Sequence, residues 1–146
     1  MTQEAFGQKI RALLPEASSG AMEHWLQYAN ELDDEKIQPK SDFFDSVYVE
    51  LSLIKYHYNI ETATALVNYA EHFVFNPFEL RKAANLMRNG WPLNKIADYT
   101  VEYDCDPTAE EYKESKAVLK AFQDNGEDPI DYLEKQAHLQ SQFSMT

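Results

Sequence analysis

The sequence predicts an all-α protein, a compact single-domain bundle of about seven or eight short helices spanning 1–146. Three observations predict it. Apolar residues recur at helical spacing along most of the chain. Start and stop signals for helices, Asx–Pro and Asn–Gly, frame those stretches. The chain has only four glycines, too few for the tight hairpins that sheet proteins need. At 146 residues, with 44% hydrophobic and 13% aromatic residues, it is long and apolar enough to bury a core and is not a disordered chain.

Phe6, Ile10, Leu13 and Leu14 share one face of a first helix over 2–14, which Pro15 stops. Met22, Trp25, Leu26, Ala29 and Leu32 mark a second amphipathic helix, capped by Ser18 or Ser19. "DDEKIQPKSD" reads as a polar linker near 33–41, with Ser41 or Asp42 expected to cap the element after it. That element, "FFDSVYVELSLIKYHY", fits two patterns. Val47, Val49, Leu51 and Leu53 alternate like a strand, whereas Phe44, Val47, Tyr48, Leu51, Ile54 and Tyr58 repeat like a helix. The run contains neither Gly nor Pro and exceeds an ordinary strand, which favours a helix. Apolar on nearly every face, it should be the most buried element.

Beyond Asn59, the positions Ile60, Ala63, Leu66, Val67, Ala70, Phe73 and Val74 continue a helical period. Three Asx–Pro pairs then announce helix starts: Asn76–Pro77 with Glu79 as a capping box, Asp106–Pro107, and Asp128–Pro129. Asn89–Gly90 and Asn125–Gly126 are left-handed stops, and Pro92 begins a short helix. "KAANLMRNG" and "KAVLKAFQDNG" share a helix ending but no register, so no repeat is read. The last residues, 140–146, are expected to fray.

The net charge is −12, and it is uneven. Residues 1–75 carry twelve acids and five bases, for −7; residues 98–146 carry twelve acids and four bases, for −8. Between them, residues 76–97 carry one acid, Glu79, and four bases, for +3. Those bases (Arg81, Lys82, Arg88 and Lys95) are expected to pair, at least in part, with flanking acids as a structural strap and not to form a separate anion site. Acidity of this size keeps a chain soluble, and it also suits a basic partner. The N-terminal stretch has no apolar signal core and no apolar run suits a membrane span, so the cytoplasm is the expected location. A single cysteine, Cys105, makes no internal disulfide.

"MRNGWPLNKIADY" has the outline of a helix-turn-helix, but its continuation excludes DNA reading. Asp98, Glu102, Asp104, Asp106, Glu110 and Glu111 come next without a single base among them. Six carboxylates where a recognition helix belongs would repel a duplex. Enzyme signals are sparse too. Gly-rich phosphate loops, nucleophile elbows and paired zinc-ligand motifs are absent, and nothing implies a cofactor. The flanking Asp104 and Asp106 disfavour a Cys105 thiolate, and His24, His57, His72 and His138 are far apart.

Two functional readings emerge. Glu110, Glu111 and Glu114, with Asp128 and Asp131 on the next helix, resemble the acidic pattern of helical nucleotide pyrophosphohydrolases. That resemblance implies Mg²⁺ held between two antiparallel helices. Capping duties are the competing explanation: Glu111 closes a box from Thr108, and Asp128 caps its helix. The favoured reading is a non-enzymatic interaction protein that docks on a larger, basic protein partner, as an inhibitor or a mimic of nucleic-acid charge. Some small proteins that block restriction or CRISPR nucleases and many toxin immunity proteins work in this general way, a likeness of size and composition only. Asp98, Tyr99, Glu102, Tyr103, Asp104, Asp106, Glu110, Glu111 and Tyr112 are the expected contact, because acids there alternate with amphipathic rings.

Overall fold

The stretch that fits both strand and helix spacing is a helix, α3 (Lys40–His57), and it is the axis of the molecule. The computed structural model describes residues 1–144, among which every regular element is helical. Packed against α3 are α1 (Gln3–Leu13), α2 (Ser19–Asp34), α4 (Ile60–Asn68), α5 (Pro77–Arg88), α7 (Ala109–Asn125) and α8 (Pro129–Ser144). α6 (Leu93–Glu102) lies outside this ring and packs on α5. From Phe43 to Ile54 every residue of α3 except Ser46 is buried. Helices on all sides explain why its sequence is apolar all round.

The main core joins Phe6, Ile10, Trp25, Phe43, Phe44, Leu51, Leu66, Phe75 and Leu80. Phe6 stacks on Phe44 at 4.5 Å between ring centroids, and the Trp25 indole N–H donates to the Val67 carbonyl at 3.0 Å. A smaller cluster of Val49, Leu53, Val118 and Leu133 joins α3 to α7 and α8. Deleting a buried ring such as Trp25 should cost about 3–5 kcal/mol.

Local signals set most of the boundaries. Ser18 caps α2, and Asn59 caps α4. Asn76 and Glu79 form a reciprocal capping box on α5, with Pro77 in the first turn. Gly90 and Gly126 adopt φ of 89° and 66°, the left-handed stops that a Cβ would strain.

Five expectations differ from the structure. The polar linker is shorter than 33–41, because α2 continues to Asp34 and α3 starts at Lys40. Pro39 occupies the N-cap position of α3 without a side-chain cap, so Ser41 and Asp42 fall inside the first turn. There the Asp42 charge favours the positive end of the helix. The helix after Asn59 stops at Asn68 and tightens into a 3-10 turn at Tyr69–Glu71, leaving Phe73 and Val74 outside it. At this stop Asn68 ties α4 to the segment between α1 and α2: its Oδ1 accepts from Ser18 N–H at 2.8 Å, and its Nδ2 donates to the Glu16 carbonyl at 3.0 Å. Finally, Asp106 does not cap α7; Thr108 does, in a capping box with Glu111. At the C-terminus, α8 stays helical through Ser144 where fraying from 140 is expected, and 145–146 lie outside the described residues. Among the described residues no helix is long and apolar enough to cross a membrane.

Candidate interaction surface

Three rings line up on and beside α6. Tyr99 and Tyr103 are one helical turn apart, and their centroids lie 4.8 Å from each other. Trp91, in the turn before α6, meets Tyr99 edge-on at 5.6 Å. Tyr99 is half-buried against the core and anchors the row, while Tyr103 is 58% exposed and Trp91 is 40% exposed. Asp98 and Glu102, also one turn apart, are both exposed, and Val101 beside them is 73% exposed.

The chain leaves α6 at Tyr103 in extended conformation. Cys105 pins the adjoining loop: its thiol is buried and donates to Thr100 Oγ1 at 3.6 Å. Asp104 and Asp106 flank this anchor and are both exposed. The cysteine is therefore a fastening for an acidic loop, which accounts for it without any reactivity. Burial raises the pKa of the Glu79 carboxyl, and the nearby Asp106 charge adds to this. The loop thus lies beside the start of α5.

The remaining predicted contacts divide between two neighbouring clefts. Glu111 Oε1 accepts from the Thr108 N–H at 2.9 Å, and its Oε2 lies 4.0 Å from Arg81. Arg81 is only 4% exposed and reaches three carboxylates: Glu50 at 3.5 Å, Glu111, and Glu114 at 3.2 Å. Glu114 also binds His57 Nε2 at 3.0 Å. The hydrogen bond from His57, aided by the charges of His57 and Arg81, holds the Glu114 carboxyl below its ordinary range despite burial. Burial dominates at Glu50 and pushes its carboxyl up, with Arg81 opposing. Glu110, His57 and Arg88 share with this cluster an open cleft of about 350 Å³. On the other side of Glu50, between α3, α7 and the start of α5, runs a groove of about 340 Å³. Tyr112 and Phe78 meet along it at 6.4 Å, both well exposed.

The basic segment does pair with flanking acids, at Arg81, which reaches Glu50 on one side and Glu111 and Glu114 on the other, though from inside the fold and not as an exposed pair. Arg81 is buried, whereas Arg88 donates to the His57 carbonyl at 3.2 Å and lies 3.9 Å above the Tyr58 ring. For Lys82 and Lys95 the described residues provide no ion pair within 4.0 Å. Nor do the five carboxylates of the magnesium pattern come together. Glu110, Glu111 and Glu114 start α7, and Asp128 and Asp131 start α8, beyond the far end of α7. From Glu114 to Asn125 the helix alone rises about 16 Å. Asp128 is also occupied: Oδ1 accepts from the Tyr48 hydroxyl at 2.7 Å, and Oδ2 accepts from Ile130 N–H at 3.2 Å. Among the described residues no group of three or more His, Cys, Asp or Glu is arranged to hold a metal ion.

Sequence reasoning missed Trp91, Phe78, Glu50 and His57. Trp91 sits between Gly90 and Pro92, off any helical period, so no core slot awaits it. Phe78 comes just after an Asx–Pro start and faces away from the α5 core stripe of Leu80, Ala83 and Ala84. Glu50 was legible as the one acid inside "VYVELSLI". His57 gave no signal, because its partner Glu114 is 57 residues away. Comparison with protein-family models, curated proteins and solved structures finds no match to this chain.

Proposed function

We propose that this is a non-enzymatic interaction protein that docks on the basic surface of a larger protein through α6 and the loop after it. The carrying observation is the row Trp91–Tyr99–Tyr103 set among the exposed carboxylates of Asp98, Glu102, Asp104 and Asp106. Exposed rings in contact with one another are unusual on a surface with no partner, and Tyr and Trp are enriched where proteins meet. Carboxylates around them supply long-range attraction and orientation. From Asp98 through Tyr112 the chain carries no base to weaken that attraction. The same charge repels a nucleic-acid duplex and suits a groove built to hold one, which favours an inhibitor that occupies a cationic site.

Affinity capture from the source cell tests this with three baits. Wild type and a control with Glu4→Lys and Glu16→Lys should retain the same basic protein, identified by mass spectrometry. The Asp98→Lys, Glu102→Lys, Asp104→Lys, Asp106→Lys variant should lose it. An acidic partner, or one retained equally by all three baits, overturns the proposal.

A further inference from the structure

We infer that the segment 106–117 is a flap, anchored at both ends and clasped by polar groups, that opens while the rest of the fold stays closed. The inference goes beyond the docking proposal and does not depend on it. Both anchors are buried. Cys105 reaches Thr100 on α6 through its thiol, and Val118 joins α7 to α3 and α8. Between them no residue is buried, and none packs into either hydrophobic cluster. Past Val118 the same helix regains apolar packing through Leu119 and Phe122. Most helices in proteins are held in place by an apolar face. The first half of α7 has none.

Polar contacts hold it instead. Arg81 on α5 donates to Glu114 and Ser115, at 3.2 Å each, and lies 4.0 Å from Glu111. From α3, His57 bonds Glu114 at 3.0 Å, and Glu50 accepts from Ser115. The ring contact between Phe78 and Tyr112 adds little, since both rings are well exposed. Open space flanks this clasp on two sides: the groove of about 340 Å³ over Val49 and the cleft of about 350 Å³ beside Arg88. Glu111 and Glu114 are 26% and 32% exposed, so water can replace their bonds to Arg81. Breaking the clasp therefore costs far less than opening the core. A helical stretch this short has no stability of its own once it leaves its partners, so it unwinds. Opening releases Glu111 and Glu114 from Arg81 and uncovers Val49 and Glu50 on α3.

Amide hydrogen exchange of the full chain, followed by NMR at rising sub-denaturing urea, provides the test. Amides of Tyr112–Ala117 should exchange about a hundred-fold faster, relative to an unfolded chain, than those of Phe122–Asp124 and Leu51–Ile54. Their rates should hardly respond to urea, because the opening exposes little surface, whereas rates in α3 should climb steeply. Ordinary fraying is controlled by the matching turns of α5, Arg81–Asn85, which lie on the main core and should stay protected. Glu114→Gln loosens the clasp and should speed Tyr112–Ala117 about five-fold further. Lys120→Gln, a charge change on the same helix outside the clasp, should not. Protection of Tyr112–Ala117 equal to that of Phe122–Asp124, or an equal urea response, overturns the inference. So does a folded Glu114→Gln variant that exchanges there no faster than Lys120→Gln.

Discussion

A guanidinium facing carboxylates from two neighbouring helices does not behave like a surface cation. Arg81 is 4% exposed, so removing it leaves Glu50 charged and buried without a counter-charge. Arg81→Ala should therefore destabilise the fold by about 3–5 kcal/mol in chemical denaturation, far above the ~0–1 kcal/mol of an exposed pair. Replacing the pair together, Glu50→Leu with Arg81→Met, should recover most of that loss, because no buried charge is stranded. Glu114 gives a pH-dependent companion. Its folded-state carboxyl lies below the unfolded value, so its stabilisation is present above that value and lost as pH falls through the folded one. Glu114→Gln should destabilise near neutrality by about 1 kcal/mol or less, since the side chain is 32% exposed. As pH falls below the ordinary glutamate range and through the lowered folded-state value, thermal melts of the two proteins should converge as the carboxyl protonates.

At the scale of elements, local chemistry decided more than periodicity did. The starts of α2, α4, α5 and α8 were legible because a capping oxygen and its N–H partners lie within three residues in sequence. The end of α4 was not legible. Its last residue, Asn68, bonds Ser18 and Glu16, about fifty positions away, and no window along the chain shows that pairing. At α7 two start signals competed, and the reciprocal pair of bonds between Thr108 and Glu111 prevailed over Asp106–Pro107. Thr108→Ala should therefore cost about 1 kcal/mol, while Asp106→Ala should stay within about 0.5 kcal/mol, both read by denaturation. Lys36, at φ 58° just after α2, holds a conformation that glycine adopts freely. Lys36→Gly should raise stability by about 0.5–1 kcal/mol in the same measurement.

Across the whole molecule, a net charge of −12 sits on a scaffold whose central helix α3 is buried on nearly every face. The acids of the 98–112 tract were visible in the sequence as composition. Their division was not. The part from Asp98 to Asp106 surrounds exposed rings, while Glu111 and Glu114 turn to Arg81, because a buried charge on α5 draws them there. Tyr103 is the ring to truncate, since Tyr99 also packs against the core and its loss would confound binding with stability. Tyr103→Ala should speed dissociation of the bound partner and change association little, as anchors govern residence and rim charges govern encounter.

The most direct measurement is the association rate of the captured partner at increasing salt, for wild type and for the variant reversed at Asp98, Glu102, Asp104 and Asp106. The screening length falls from ~10 Å at 0.1 M salt to ~3 Å at 1 M, which removes steering between exposed charges. Docking through α6 requires a wild-type rate that falls steeply with salt and a variant rate that starts low and stays nearly flat. Equal rates and equal salt slopes for the two proteins would contradict it.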